Sequence, residues 1–375
     1  MSVIATPPPQ ANPTTSPAAT ELPPFDGLLI VGFGGPEGPD EVMPFLENVL
    51  RGRNVPRERM LEVAEHYYHF GGVSPLNNQV RALIAELQPE LRRRGVDLPI
   101  AWGNRNWKPF LTDAVRELTE RGAKRVLAVV LAAYSSYSSC RQYRENVEAA
   151  RREVAANLPE GQQMPIFEKM RVYYNHPDFI ASNADRVREA LERFPVEERD
   201  AVHVAFTAHS IPSVMADSCN YALQLTEACR LTAETLGLPE ERWKLVYQSR
   251  SGRPQDPWLE PDILDHLDAL HEAGVKNLII HPIGFLSDHM EVMYDLDEEA
   301  KHRAEEHGMR MERAATVGVH PTFVAMLAEL IQERITPGST RRAIGKYGPS
   351  HDFCPVNCCL PPGRQPAPAI GGQTA

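Results

Sequence analysis

The chain has 375 residues, 42% of them hydrophobic and 24% charged, with a formal net charge of −11. Such a length favours two domains over one core, and the acidic balance argues against a nucleic-acid partner, whose phosphates require a basic excess. No apolar run reaches the roughly 20 residues of a membrane-spanning helix, and no basic segment followed by an apolar stretch marks a secretory signal. The expectation is a cytoplasmic protein with at most a peripheral contact to membrane.

Residues 1–24 are rich in Pro, Ala, Thr and Ser. They cannot bury enough apolar surface to offset their ordering entropy, so a disordered tail is expected there. From residue 25 the chain alternates short apolar runs with amphipathic stretches, the pattern of parallel sheets covered by helices on both faces. Expected strands of a first unit are Gly27–Phe33, Leu98–Gly103, Arg125–Ala133 and Ile166–Tyr173. Helical spacing covers Asn77–Arg94, Pro109–Arg121 and Cys140–Ala156. A helix at Pro177–Arg193 opens a second unit, with strands at Val202–Ala208, Lys244–Gln248, Asn277–Gly284 and Arg310–Thr316 and a helix at Pro261–Glu272. The fold class is therefore α/β. Two similar Rossmann-like domains, 25–176 and 177–319, each carry a four-stranded parallel sheet flanked by helices, with the active-site cleft between them. A closing helix, 320–335, is expected to pack back on the first half. Residues 336–375 form a C-terminal extension whose last part, 360–375, reads as disordered.

In open parallel sheets the ligand crevice lies beyond the carboxyl ends of the strands. Gly32-Phe33-Gly34-Gly35-Pro36, Tyr134-Ser135-Ser136-Tyr137, Thr207-Ala208-His209-Ser210 and Gly284-Phe285-Leu286-Ser287-Asp288-His289 all leave strands there. His209 is either a solvated strand end or a ligand for a borderline divalent metal such as Fe²⁺. If the stretch after His289 is helical, Glu291, Asp295 and Glu299 fall at i, i+4 and i+8 on one face. Like charges at that spacing repel, so either water or a travelling cation must offset them. The glycines around Phe33 lack the dinucleotide fingerprint and the P-loop lysine; they admit a close approach of a flat ligand to the backbone. Ser74 before Pro75 reads as a helix start, and Tyr143 as a packed residue of the helix after Cys140.

The six cysteines are too few and too uneven for a secreted disulfide framework. Cys219 and Cys229 suit buried positions on an amphipathic helix. Cys354, Cys358 and Cys359 fall within six residues, which suits a redox disulfide or a thiolate-bound metal. An iron–sulfur cluster needs a fourth ligand from elsewhere, and Cys140 is a candidate.

Taken in order, several stretches resemble the ferrochelatases. They are Gly27-Leu28-Leu29-Ile30-Val31-Gly32-Phe33-Gly34-Gly35-Pro36, Tyr68-His69-Phe70-Gly71-Gly72-Val73-Ser74-Pro75-Leu76, Thr207-Ala208-His209-Ser210-Ile211-Pro212, Tyr247-Gln248-Ser249, Asp256-Pro257-Trp258-Leu259 and Gly284 through Asp295. The resemblance spans nearly all of 25–335. It implies a lyase of chelatase-type fold that inserts Fe²⁺ into a porphyrin in haem synthesis. It further implies that His209 and Glu291 bind the iron and take up pyrrole protons from opposite sides of the cleft. Asp295 and Glu299 become an acidic relay, and Phe33, Ser74, Tyr143 and Trp258 contact the ring. Phe33 stands where some relatives carry a tyrosine, so it offers the metal no oxygen. The loop Ala132–Asn146 is similar to the monomeric actinobacterial type, which implies a [2Fe–2S] cluster on Cys140, Cys354, Cys358 and Cys359 and coproporphyrin III rather than protoporphyrin IX as substrate. Two rivals remain at this stage: a cobalt or nickel chelatase of the same fold, which would present more histidine at the metal, and a non-catalytic tetrapyrrole carrier, which would not need the acidic stripe.

Overall fold

The computed structural model describes residues 22, 24–52, 55–251, 253 and 255–372. The tail expected over 1–24 lies outside them, save for Leu22 and Pro24. Two four-stranded parallel sheets form the frame. The first contains β1 (Gly27–Gly32), β2 (Ile100–Asn104), β3 (Arg125–Val130) and β4 (Ile166–Lys169) in the order β2-β1-β3-β4. The second contains β5 (His203–His209), β6 (Trp243–Gln248), β7 (Asn277–His281) and β8 (Arg310–Arg313) in the order β6-β5-β7-β8. The same strand order occurs twice, so the chain is built of two like halves.

The apolar runs of β1 and β3 explain how the halves join. Side chains alternate across a strand, and here both faces are buried. Leu28, Ile30, Leu127 and Val129 point into one large core together with Val204, Phe206 and Ile279 of the second sheet. Leu29, Val31, Val126 and Ala128 point the other way, against Leu111, Val115 and Val147. Ala205, Leu278 and Ile280 likewise face Ile263, Leu267 and Leu296 on the outside of the second sheet. The helix Pro321–Ile335 lies in the shared core and packs against both Leu76–Arg93 and Pro177–Leu191. Polar pins cross the same seam. Tyr134 Oη donates to the Ile283 carbonyl at 3.0 Å, and Ser135 exchanges two hydrogen bonds with the Gln224 amide at 2.7 and 3.1 Å.

Several edges differ from the sequence pattern. β4 stops at Lys169, four residues before the expected end, because β3 offers it no partner beyond Ala128. Past that point Arg171 and Asn175 turn to the C-terminal extension instead. Two helices not among those expected, Pro39–Val49 and Arg57–His69, form a hairpin around Phe45, Leu46, Ala64 and Trp107. The disorder expected over 360–375 does not hold for the described part. Arg141 Nη2 donates to the Ala367 carbonyl at 3.0 Å, Arg144 Nε to that of Ile370 at 2.7 Å, and Ile370 is buried. A segment without a core of its own is thus ordered by two buried guanidiniums that need acceptors.

Arg171 is fully buried and pairs through Nε and Nη2 with both Glu333 oxygens at 2.8 and 2.9 Å. Removing Glu333 leaves Arg171 buried without a charge partner, and removing Arg171 leaves Glu333 with only the more exposed Arg341 at 3.2 Å. Arg171→Met should therefore lower the unfolding free energy by about 3–5 kcal/mol in urea denaturation, and Arg171→Met with Glu333→Leu should recover most of that loss. A single variant as stable as the parent would remove this pair as a support of the extension.

Candidate active site

The wall contributed by the second sheet begins at the end of β5. Ser210 N donates to the Gln248 carbonyl at 2.8 Å and Ser210 Oγ to that of Leu259 at 2.8 Å. Tyr221 Oη holds the His209 carbonyl at 3.1 Å. With the backbone pinned on three sides, the His209 ring projects from a rigid strand end. The loop after β7 delivers its partner. His289 Nδ1 accepts from Val292 N at 3.4 Å and so caps the short helix Met290–Val292. Glu291 Oε2 then sits 3.6 Å from His209 Nε2. Burial pushes the His289 imidazole below its ordinary value, so this ring stays neutral.

From Met293 to Ala300 the chain runs as a π-helix, not the α-helix that the stripe suggested. Such wide turns cluster at functional sites. Asp295 Oδ2 accepts from Gln248 Nε2 at 3.1 Å and from Ser249 Oγ, and Gln248 Nε2 also faces the Glu291 carbonyl at 3.3 Å. Ser249 reaches this position at a φ of 61°, in the left-handed region that a serine seldom occupies. Burial pushes the Asp295 carboxyl up to about 7, with Glu291 and Glu299 adding repulsion and the two hydrogen bonds opposing. Glu299, nearer the surface, is raised by partial burial and by Asp262. The stripe is therefore graded: an exposed carboxylate at Glu291 backed by one that holds a proton near neutrality.

The facing wall belongs to the first sheet. Phe33 leaves β1 partly exposed, with its ring edge-on to Phe45 at 6.4 Å. The loop beyond it presses on the β2 end so closely that a Cβ at Gly34, whose φ is 87°, would come within 2.9 Å of Asn104 Cβ. The Arg105 guanidinium lies over the rings of both Phe33 and Tyr143, at 5.8 and 5.2 Å. Ser74 is buried against the same loop, its Oγ accepting from Leu76 N at 3.4 Å. Trp258 belongs to the other wall, where it bridges to Pro212 beside His209. At one end of the cleft the walls touch: His66 stacks on Tyr294 with ring centres 3.6 Å apart, and His69 Nε2 lies 3.4 Å from Glu298.

One implied arrangement needs correction. His209 and Glu291 do not oppose each other across the cleft; both rise from neighbouring strands of the second sheet. At 3.6 Å no ring fits between them. Arg105, Gln248 and Ser249 carry parts of the site that sequence reasoning did not assign. Arg105 stands at the carboxyl end of a strand, a position that could have marked it.

A second cluster lies behind the first sheet. Ser136 and Ser139 form a reciprocal cap on a π-helical turn, Tyr137–Arg141, that buries Cys140. Cys140 is in hydrogen-bond contact with Cys354, Cys354 with Cys358, and the Cys358 and Cys359 sulfurs are 3.6 Å apart. Lys169 and Arg144 supply positive charge nearby. Four thiols in successive contact, with cations at hand, fit a thiolate-bound metal centre. Cys229 is buried apart from them on the helix Tyr221–Leu236.

Among the described residues no helix is long and apolar enough to cross a membrane. Comparisons with known proteins agree with the geometry. A ferrochelatase from Rhodopirellula baltica is 54% identical over 94% of this chain and 98% of its own length. A coproporphyrin III ferrochelatase of Streptomyces coelicolor is 48% identical over 95% of this chain and 98% of its own. The solved structure of SirB from Bacillus subtilis with Fe³⁺ superposes with a TM-score of 0.50 at 13% identity, covering 82% of this chain and 95% of that one, which bears on the fold alone. The family model for ferrochelatase matches residues 25–335. With that match spanning both sheets and the cleft between them, the chain belongs to the ferrochelatase family, enzymes that insert metal into porphyrin.

Proposed function

We propose that this enzyme inserts Fe²⁺ into coproporphyrin III in haem synthesis, with His209 and Glu291 as the metal-handling pair. The observation that carries the proposal is the 3.6 Å contact between imidazole and carboxylate, backed by a carboxyl whose proton affinity lies near neutrality. Metal insertion must strip water from the ion and remove two pyrrole protons from a flat ring. His209 and Glu291 replace water around the arriving ion, while Glu291 accepts a proton and passes it to Asp295 and on to Glu299. Phe33 and Trp258 hold the ring from either side. Arg105 suits a carboxylate at the ring's edge, which supports a porphyrin rich in propionates. The name of the Streptomyces relative points the same way. The cleft serves a soluble substrate pair, and we place the enzyme in the cytoplasm as a monomer.

We also propose that Cys140, Cys354, Cys358 and Cys359 hold a [2Fe–2S] cluster. Bound there, it would supply a one-electron redox centre and a cross-link between the internal loop and the C-terminal extension. The thiols are the protein's part: they gather on a π-turn and a strap that Arg141 and Arg144 tie together.

Glu291→Gln should bind coproporphyrin III as tightly as the parent while insertion falls by about 10²–10⁴-fold in an anaerobic absorbance assay. Equal insertion rates in the two proteins would remove Glu291 from the mechanism, and tight binding with no insertion by the parent would point to a carrier instead. Insertion by the parent should rise with pH through about 7 as Asp295 loses its proton, and Asp295→Asn should lack that limb. Stability runs the other way. The folded carboxyl binds its proton more tightly than the ordinary 3.8, so its favourable contribution is complete below that pH and lost as the pH rises through about 7. Thermal denaturation of Asp295→Asn should accordingly gain on the parent between pH 5 and pH 8. Finally, Cys354→Ser should lose any cluster absorbance without unfolding residues 25–335; a retained chromophore would exclude Cys354 as a ligand.

A further inference from the structure

The thiol pocket contains a donor beyond the four cysteines. His351 Nε2 lies 3.9 Å from Cys358 Sγ and is in hydrogen-bond contact with Cys354. The donor atoms of His351, Cys354 and Cys358 all fall within 4.8 Å of one another. Among the described residues one other triad meets that closely, His176 with Asp178 and Glu329. There the Arg342 guanidinium already joins the two carboxylates at 2.9 and 2.8 Å, so a cation of the protein occupies the place.

Cys358 has a second neighbour, Cys359, at 3.6 Å between sulfurs. A tetrahedral ion with bonds of about 2.0–2.3 Å to nitrogen and sulfur sets its donors about 3.6–3.8 Å apart. His351 and Cys359 therefore both stand near the spacing for sharing one ion with Cys358, and since four protein donors serve the two irons of a [2Fe–2S] cluster, two to each, only one of them can join Cys358 on the same iron. Cys359 holds its place at a φ of 56°, in the left-handed region. His351 is exposed, and its segment is held by other atoms. Lys169 Nζ donates to its carbonyl at 3.1 Å, and the next residue, Asp352, pairs with Arg334 and Arg341 at 3.6 and 3.1 Å. The backbone is anchored while the imidazole is left to turn toward the sulfurs.

We propose that His351 is an alternative ligand of this metal centre, its Nε2 taking the position of Cys359 beside Cys358. The inference rests on the [2Fe–2S] reading of the pocket. In that exchange the bond from Cys359 Sγ to the metal would break as one to His351 Nε2 formed, and the released thiolate would take up a proton from water. The site would then be a three-cysteine, one-histidine centre that survives loss of Cys359.

The test uses the full chain, reconstituted anaerobically with Fe²⁺ and sulfide, in the parent, Cys359→Ala and Cys359→Ala/His351→Ala proteins. Iron content is measured, and the reduced centre is examined by pulsed electron paramagnetic resonance with ¹⁵N-labelled histidine. Cys359→Ala should keep the centre and acquire a directly bound imidazole nitrogen that responds to the label, and the double variant should lose the centre. A Cys359→Ala protein that is folded by circular dichroism yet takes up no iron overturns the proposal, as does a retained centre without nitrogen coupling. If the alanine chain fails to fold, Cys359→Ser probes the same position, since the nitrogen signal separates imidazole from alkoxide ligation. A parent chain that takes up no iron removes the cluster reading itself, and the two failures are thereby distinguished.

Discussion

One apolar core is shared by the two sheets, and the geometry of the cleft depends on it. Leu28 and Ile30 of β1 meet Val204 and Phe206 of β5 through the helices packed between them. Fully burying each such side chain is worth about 1.5–3 kcal/mol, so a large fraction of the stabilisation lies in the seam rather than in either half. Because the interior is close-packed, the carboxyl ends of β1 and β5 cannot drift independently. That fixes Phe33 on one wall against His209 and Glu291 on the other. Tyr134 and Gln224 add direction to a contact that apolar packing alone would leave without orientation.

Within this frame the acidic stripe is an expensive arrangement held in place by its surroundings. Asp295 is taken out of water beside two other carboxylates, and burial is the larger cause of its raised proton affinity. Hydrogen bonds from Gln248 and Ser249 offset part of that cost and fix the carboxyl's direction. Ser249 keeps a left-handed backbone to do so. Strain of this kind persists where the surrounding structure over-determines it, commonly at functional sites. The π-helical turn serves the same end by setting Asp295 and Glu299 on a wider spiral than an α-helix allows.

The C-terminal extension belongs to the first sheet's back rather than to a free tail. Buried Arg141, Arg144 and Arg171 take its carbonyls and Glu333 as partners. Each guanidinium has five donors to satisfy, and a proline-rich strand with exposed carbonyls is a suitable source of acceptors. The thiol pocket therefore joins two distant parts of the chain, the π-turn at Cys140 and the strap from His351 to Gly372, which bridges back to Cys354.

The alternation of β1, β3 and β5 was legible in the sequence because burial on both faces leaves a continuous apolar run. The strand-end loops followed from it, and His209 and Glu291 stood out as polar residues at those ends. Arg105 did not, since a lone arginine after a strand looks like any solvated side chain until two aromatic rings are seen beneath it. Nor could spacing tell that Glu291 sits on the same wall as His209, that Asp295 is buried, or that residues 360–372 are ordered. Local pattern determined the elements, their order and the residue types at their ends. Which wall each side chain occupies, how far a carboxyl is removed from water, and which buried cation claims a distant carbonyl depend on contacts between segments far apart in the chain, and only the tertiary structure decided those.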